Sequence, residues 1–250
     1  MKTALVTGVS TKVGLGYAIA EALGKQDYHV IISARKLEQA ETIARELNSQ
    51  GLSISAIRID LLDRKSIAEA ASQVNKKHPV LDVLVNNAAL MLDGSATTLE
   101  KDLDEFNIEF QTNVTGTWSV TQEFYKMLVA SGHGRIVNVS SGAGSFTDPD
   151  FGLVHFPGAA LKLLDPYPLT PYAITKLALN GLTIKMSKDF KADNILVNAV
   201  CPGFTATRAG SADFGARPVS ESVKGIVWAA TLPDDGPNGG FFRDGAPLPW

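Results

Sequence analysis

A single cysteine, Cys201, in 250 residues leaves no partner for an internal disulfide and no cysteine-cluster metal site. Its place in an apolar run suits a small buried strand residue. The four histidines, His29, His78, His133 and His155, are scattered without the spacing of metal ligands. No unbroken apolar run approaches the roughly 18 residues of a membrane span. Met1-Lys2-Thr3 leads into an apolar strand, without the long apolar core and cleavage site of a signal peptide. An excess of one charge is also missing: 23 basic against 26 acidic residues give a net −3, which argues against a nucleic-acid or anionic-membrane surface. Repeats and low-complexity tracts are absent as well. The expectation is a metal-free protein of the cytoplasm.

What is present is a 45% hydrophobic chain that can bury one large core. Strand-like runs fall near 2–7, 29–34, 53–59, 81–86, 134–140, 194–201 and 239–243. Helical patterns fall near 15–25, 36–50, 64–77, 101–131, 171–191 and 219–231. This alternation points to βαβ units, hence an α/β doubly wound parallel sheet of Rossmann type in a single domain over 1–250.

The most informative stretch is Thr170-Pro171-Tyr172-Ala173-Ile174-Thr175-Lys176. Thr170 suits an N-cap and Pro171 the first helical position. Tyr172 and Lys176, four apart, then share one helix face. A free tyrosine titrates near about 10, and a neighbouring cation lowers that value, fitting Tyr172 for proton transfer to or from a carbonyl oxygen.

The first strand runs into Gly8-Val9-Ser10-Thr11-Lys12-Val13-Gly14-Leu15-Gly16 and then a helix. Glycines at a first strand-to-helix turn let the backbone approach a pyrophosphate at the positive helix end. The second strand ends in Arg35-Lys36, with no acid until Glu38. An arginine here accommodates the 2′-phosphate of NADP, so NADP(H) is expected, with Arg35 as main ligand and Lys36 or Lys12 assisting. Asp60 can accept from an adenine amino group or cap the next helix. Asn86-Asn87-Ala88-Ala89 closes the fourth strand with small residues that permit close approach of a cofactor or form a turn. Asn113 sits mid-helix, where its poor propensity fits a buried hydrogen-bonding role. Ser140 and Ser141 close the fifth strand at the carboxyl edge, where ligands of open α/β sheets bind.

Together these residues resemble the short-chain dehydrogenase/reductase family over essentially the whole chain. The resemblance implies that Tyr172 is the general acid/base, that Lys176 lowers its pKa and bonds the nicotinamide ribose, that Ser141 orients the carbonyl, and that Asn113 supports a water relay to Lys176. It also implies cofactor contacts at Leu61, Asn87, Ala88, Ala89, Pro202, Gly203, Thr205 and Thr207, besides the glycine-rich loop.

Two departures matter. Five residues separate Gly8 from Gly14, where the family usually has three, a loop similar to that of bacterial enoyl-acyl-carrier-protein reductases. Those enzymes space their tyrosine and lysine further apart than Tyr172 and Lys176. Ser141 and Tyr172 are 31 positions apart, where the family commonly has about a dozen. The extra segment, 146–168, is expected either to border the substrate pocket or only to cover the apolar face of the adjacent helix. With the C-terminal Gly240-Phe241-Phe242, it resembles monomeric carbonyl reductases, implying a monomer, with a homo-oligomer left open. Residues 209–218 look like a lid over the nicotinamide. The expected activity is NADPH-dependent reduction of a hydrophobic ketone, aldehyde or quinone. The alternatives are an enoyl-thioester reductase and a non-catalytic NADP-binding regulatory protein.

Overall fold

In a computed structural model, which describes residues 1–92, 96–154 and 169–250, strands and helices alternate along the chain. The strands are β1 (Thr3–Val6), β2 (His29–Ala34), β3 (Ser53–Arg58), β4 (Val83–Asn86), β5 (Arg135–Val139), β6 (Leu196–Val200), β7 (Phe241–Arg243) and β8 (Ala246–Pro247). They form one sheet in the order β3-β2-β1-β4-β5-β6-β7-β8, parallel except for the last pair. β1, β4, β5 and β6 are buried at every position, as strands covered on both faces should be. The sequence pattern located the first seven, each observed strand lying within its expected range. The two-residue β8 carried no such signal.

Helices cover both faces. On one lie α1 (Leu15–Gly24), α2 (Leu37–Ser49) and α7 (Val219–Ala230); Ile19, Leu23, Ile43, Leu47 and Ile226 pack there on alternate residues of β1, β2 and β4. On the other lie α3 (Arg64–Lys77), α5 (Thr117–Ser131) and α6 (Thr170–Asp189), which supply Ile67, Val74, Phe124, Leu128 and Met186. The chain reverses direction across the sheet between β1 and β4. That switch point opens a crevice at the carboxyl edge.

Local chemistry corrects three expectations. The helix read as continuous over 101–131 is α4 (Leu103–Phe110), a π-helical turn (Gln111–Gly116) and then α5. Asn113 sits in that turn, the kind of interruption that concentrates at functional sites. Gly116 is needed inside it, because a Cβ there would lie 2.5 Å from the Leu61 carbonyl oxygen. Asp60 does not cap α3; Asp63 does, accepting from the amides of Lys65 and Ser66 at 3.1 Å each. Thr170 is not the cap of α6 but its first residue, preceded by Leu169 in a left-handed conformation (φ +50°) whose carbonyl accepts the Ala173 amide at 2.8 Å. Pro171 still falls in the first turn, where its missing N–H leaves no helical bond unmade.

Candidate active site

Tyr172, Lys176 and Ser141 meet because β5 and the first two turns of α6 pack together. The turn after β5 is a short 3-10 helix, Gly142–Gly144, capped by Ser141, whose Oγ accepts the Ala143 amide at 3.2 Å. Gly144 is obligatory for this contact: a Cβ there would lie 2.5 Å from the Lys176 carbonyl carbon. The two serines then separate in role. Ser140 is spent internally, donating to Asn180 Oδ1 at 2.5 Å, while Asn180 donates to the Gly144 carbonyl at 2.9 Å. Ser141 instead lines the cleft beside Tyr172. The structure thus separates the adjacent serines in favour of the second.

Lys176 is 2% exposed and donates to the Val139 carbonyl at 2.7 Å. Its ammonium lies 5.5 Å from the centre of the Tyr172 ring. Burial brings the Lys176 pKa down to about 8 from the usual 10.5, with Cys201 pulling in the opposite direction. The Tyr172 pKa was expected to be lowered. It is raised instead, chiefly by burial and then by Cys201, with the Ser141 hydrogen bond working the other way. The physical reason is that burial acts on both groups: it raises the phenol directly, and it lowers Lys176 to about 8, so the cation is lost before the phenol would ionise and does not hold it down. Tyr172 therefore holds its proton at neutral pH, the form required of an acid.

These groups line a cleft of about 390 Å³ at the carboxyl edge of the sheet. Leu15, Asn87, Ala89, Pro202, Gly203, Thr205 and Thr207, all expected from the sequence to touch a cofactor, also line it. Its apolar wall comes from Leu90, Met91, Phe151, Leu169 and Phe204, with Cys201 at the base and Arg208 and Ser211 at one side. None of these eight was singled out as a site residue from the sequence. Phe151, inside the expected insertion, and Ser211, inside the expected lid, had a signal in the sequence, and residues 155–168 of that insertion lie outside the described residues.

Asn113 is buried and holds the wall in place. Its amide donates to the Leu90 carbonyl at 2.8 Å and to Thr175 Oγ1 at 3.0 Å, and its Oδ1 accepts the Leu90 amide at 2.7 Å. Thr175 passes the contact to the Tyr172 carbonyl at 2.8 Å. Asn113 thus bonds one turn of α6 and one wall of the cleft at once.

The glycine-rich loop has the form a dinucleotide requires. Gly8 has φ +74°, and a Cβ on it would lie 2.6 Å from Ala88 Cα; one on Gly16 would lie 2.8 Å from Asn87 Nδ2. Asn87 donates to the Thr7 carbonyl at 2.7 Å, and the Thr7 hydroxyl accepts the Asn87 and Ala88 amides at 3.1 Å each. Asn87 and Ala88 thus brace the loop from behind. At its far end α1 begins with no side-chain cap on Gly14, leaving first-turn N–H groups available to an anion.

Ser10, Thr11 and Lys12 line a smaller cavity against Glu38, Gln39, Thr42 and Ile43. Lys12 is paired with Glu46, so it is not a free cation beside the loop. Arg35 and Lys36 are exposed where β2 meets α2. Asp60 accepts the Leu62 amide at 3.2 Å and faces Arg58 at 3.8 Å, while Leu61 packs against the π-helical turn. Residues 209–218 hold the turn Ser211–Phe214 between Gly210 (φ +79°) and Gly215 (φ +83°). Among the described residues no cluster of His, Cys, Asp or Glu could hold a metal, and no helix is long and apolar enough to cross a membrane.

Comparison with known proteins agrees with this architecture. The family model for short chain dehydrogenase matches residues 2–153 and 164–215. A 3-oxoacyl-acyl-carrier-protein reductase of Aquifex aeolicus is 35% identical over 207 residues, 82% of this chain and 75% of the relative. The short-chain dehydrogenase anuI of Penicillium roqueforti is 34% identical over 233 residues, 91% of this chain and 87% of its own. Among solved structures, the NADPH-bound carbonyl reductase from chicken fatty liver overlays with a TM-score of 0.83 at 24% identity, covering 100% of this chain and 99% of that one, a likeness of fold.

Proposed function

The chain belongs to the short-chain dehydrogenase family of oxidoreductases, and we propose that it is an NADPH-dependent carbonyl reductase with Tyr172 as the proton donor. The observation that carries this reading is the meeting of Ser141, Tyr172 and Lys176 in one largely apolar cleft at the carboxyl edge of the sheet, beside the tight glycine-rich turn after β1.

The nicotinamide cofactor, when bound, supplies the hydride. The residues that would hold it are the Gly8–Gly16 loop and the uncapped start of α1 for its phosphates, with Ala89, Pro202, Gly203, Thr205 and Thr207 along the cleft. Arg35 and Lys36, exposed and with no acid before Glu38, support NADPH over NADH. Ser141 orients the substrate carbonyl by donating to its oxygen, and Tyr172 gives that oxygen its proton. Lys176, charged below pH about 8 and 5.5 Å from the centre of the Tyr172 ring, would bond the nicotinamide ribose and so align the cofactor with the phenol. The walls formed by Leu90, Met91, Phe151 and Phe204 suit an apolar carbonyl compound and keep water from the reacting atoms. The segment 209–218, whose turn Ser211–Phe214 is flanked by two glycines with positive φ, acts as a lid.

The Aquifex relative gives weight to a second reading, a 3-oxoacyl thioester as the carbonyl substrate. The test is NADPH and NADH oxidation against aldehydes, diketones, quinones, a 3-oxoacyl thioester and an enoyl thioester. Carbonyl turnover favouring NADPH is expected. Tyr172→Phe should lower kcat by ~10²-fold or more while NADPH still binds, in line with the usual worth of a general acid. Activity confined to the enoyl thioester, or a Phe variant that works normally, would overturn the assignment.

A further inference from the structure

The segment between Ser141 and Phe151 is fastened from the far end of the chain. Arg243, the last residue of β7, reaches back to it with both arms of its guanidinium. Nη2 lies 2.5 Å from Asp148 Oδ2 and Nη1 lies 2.5 Å from Asp150 Oδ2. The same group stands 5.1 Å from the centre of the Phe151 ring, over its face, and Nη2 lies 3.5 Å from Cys201 Sγ.

This contact is buried where it matters. Asp148 is fully buried, and its other carboxylate oxygen accepts the amides of Asp150 at 2.8 Å and Phe151 at 3.0 Å. The carboxylate is therefore the hub that shapes the loop presenting Phe151, and Arg243 is the cation paired with it there. The clasp also presses on the turn that follows Ser141. A Cβ on Gly142 would lie 2.5 Å from Asp148 Oδ2 and 2.7 Å from Arg243 Nη2, and the Gly142 amide donates to Cys201 Sγ at 3.2 Å. Two parts of the cleft, the Phe151 wall and the Ser141 turn, thus depend on one side chain that is not itself among the residues lining it.

We propose that Arg243 is a positioning residue: through Asp148 and Asp150 it fixes Phe151 and the Ser141 turn, and so sets which carbonyl substrates fit. The proposal rests on the reading of the cleft as a carbonyl-reducing site. A planar, forked cation suits the site, because it can hold two carboxylates with separate nitrogens while its flat face lies on the Phe151 ring, which a compact ammonium does not reproduce.

The test compares the full chain with Arg243→Met, Arg243→Lys and Phe151→Ala. Three quantities are read: KM and kcat for a bulky aromatic ketone and a small aliphatic aldehyde, the Kd for NADPH, and the alkylation rate of Cys201 by iodoacetamide. Cys201 is the sole cysteine and is 2% exposed, so its labelling reports directly on the clasp.

For Arg243→Met the expectation is a ~10-fold rise in KM for the aromatic ketone, a small displacement effect. The change for the aliphatic aldehyde should be much smaller, NADPH affinity unchanged, and Cys201 labelling several-fold faster. Arg243→Lys should fall between, and Phe151→Ala should reproduce the altered selectivity without the faster labelling. An equal loss for both substrates together with weakened NADPH binding would mean general destabilisation and would overturn the proposal. So would unchanged selectivity with unchanged labelling. If Arg243→Met does not fold, Arg243→Lys and Phe151→Ala decide by the same readouts. Should the unaltered chain reduce no carbonyl, the functional reading fails by itself, and the labelling rates still support or overturn the clasp.

Discussion

The two ends of β5 treat buried charge in opposite ways. At its start, Arg135 is 5% exposed and fully spent: Nε donates to the Leu232 carbonyl at 2.8 Å, Nη1 to the Gly134 carbonyl at 3.0 Å and Nη2 to Asp234 at 2.6 Å. Asp82 beside it accepts the Thr3 amide at 2.7 Å and the Ser131 hydroxyl at 2.9 Å. At its end, four residues on, the Lys176 ammonium has one hydrogen bond, to the Val139 carbonyl, among the described residues. The first arrangement satisfies its charges and contributes rigidity. The second leaves proton-donating groups underused and costs stability, as sites built for chemistry commonly do.

The sharpest way to break this contrast is Lys176→Met. Moving the Lys176 pKa from 10.5 to about 8 corresponds to a penalty of ~3 kcal/mol for keeping the cation folded. Below pH about 8 the lysine is charged in both the folded and unfolded chain, so the penalty is present in full. It fades as pH rises from about 8 to 10.5, where the folded form is already neutral. Denaturant unfolding at pH 7 should show the Met variant more stable by up to that amount, less what the lost Val139 hydrogen bond removes, and the gain should vanish near pH 10.5. Its turnover should fall by ~10²-fold or more. In the unaltered enzyme kcat/KM for reduction should decline as pH rises through about 8, and in the Met variant that limb should be gone. A Met variant less stable at pH 7 would mean that Lys176 is as well satisfied as Arg135.

Arg135→Met probes the other end. It strands the buried Leu232 carbonyl and removes three hydrogen bonds, a loss of ~2–3 kcal/mol. For a chain of this size that lowers Tm by ~5–10 °C. Because the change lies a whole strand away from the cleft, kcat and KM at 25 °C should stay within about two-fold, as expected for distant, independent sites. Thermal unfolding and steady-state kinetics on the same preparation check both halves, and a large fall in kcat would show that the two ends are coupled.

The contrast also explains what could be read from the chain. The Tyr172–Lys176 pair and the Gly8–Gly16 loop were legible because helix spacing and backbone freedom are local properties, fixed within a few residues. The parallel sheet was legible because strands buried on both faces read as continuous apolar runs. Choices between near neighbours were less so: Asp60 and Asp63 are both acids before α3, and only the loop geometry makes the second one the cap. The π-helical turn around Asn113 depends on the Leu90 loop and Leu61 packing against it, contacts far away in sequence. Arg243 and Asp148 are 95 positions apart, and neither belongs to a local pattern that announces the other. The Tyr172 pKa was misjudged for the same reason, since its direction is set by burial of the phenol and of Lys176 among residues distant in sequence.

A third place sharpens the comparison with the smallest effect, for at the end of β2 the cations are neither satisfied nor buried. Arg35 is exposed, so holding its charge costs almost nothing in the folded chain, and its removal should leave Tm unchanged. What it is proposed to add is attraction for the 2′-phosphate that distinguishes NADPH from NADH. An exposed charge-assisted contact of this kind is worth about 1–2 kcal/mol, so Arg35→Ala should raise the KM for NADPH ~10-fold and leave that for NADH within two-fold. Because the pair is solvent-facing, the gap between the variant and the unaltered enzyme should narrow as salt rises from 0.05 to ~0.5 M, whereas a buried pair such as Arg243–Asp148 should show no such dependence. Equal losses for both cofactors would place Arg35 against the part of the dinucleotide they share, and no loss for either would pass the 2′-phosphate to Lys36.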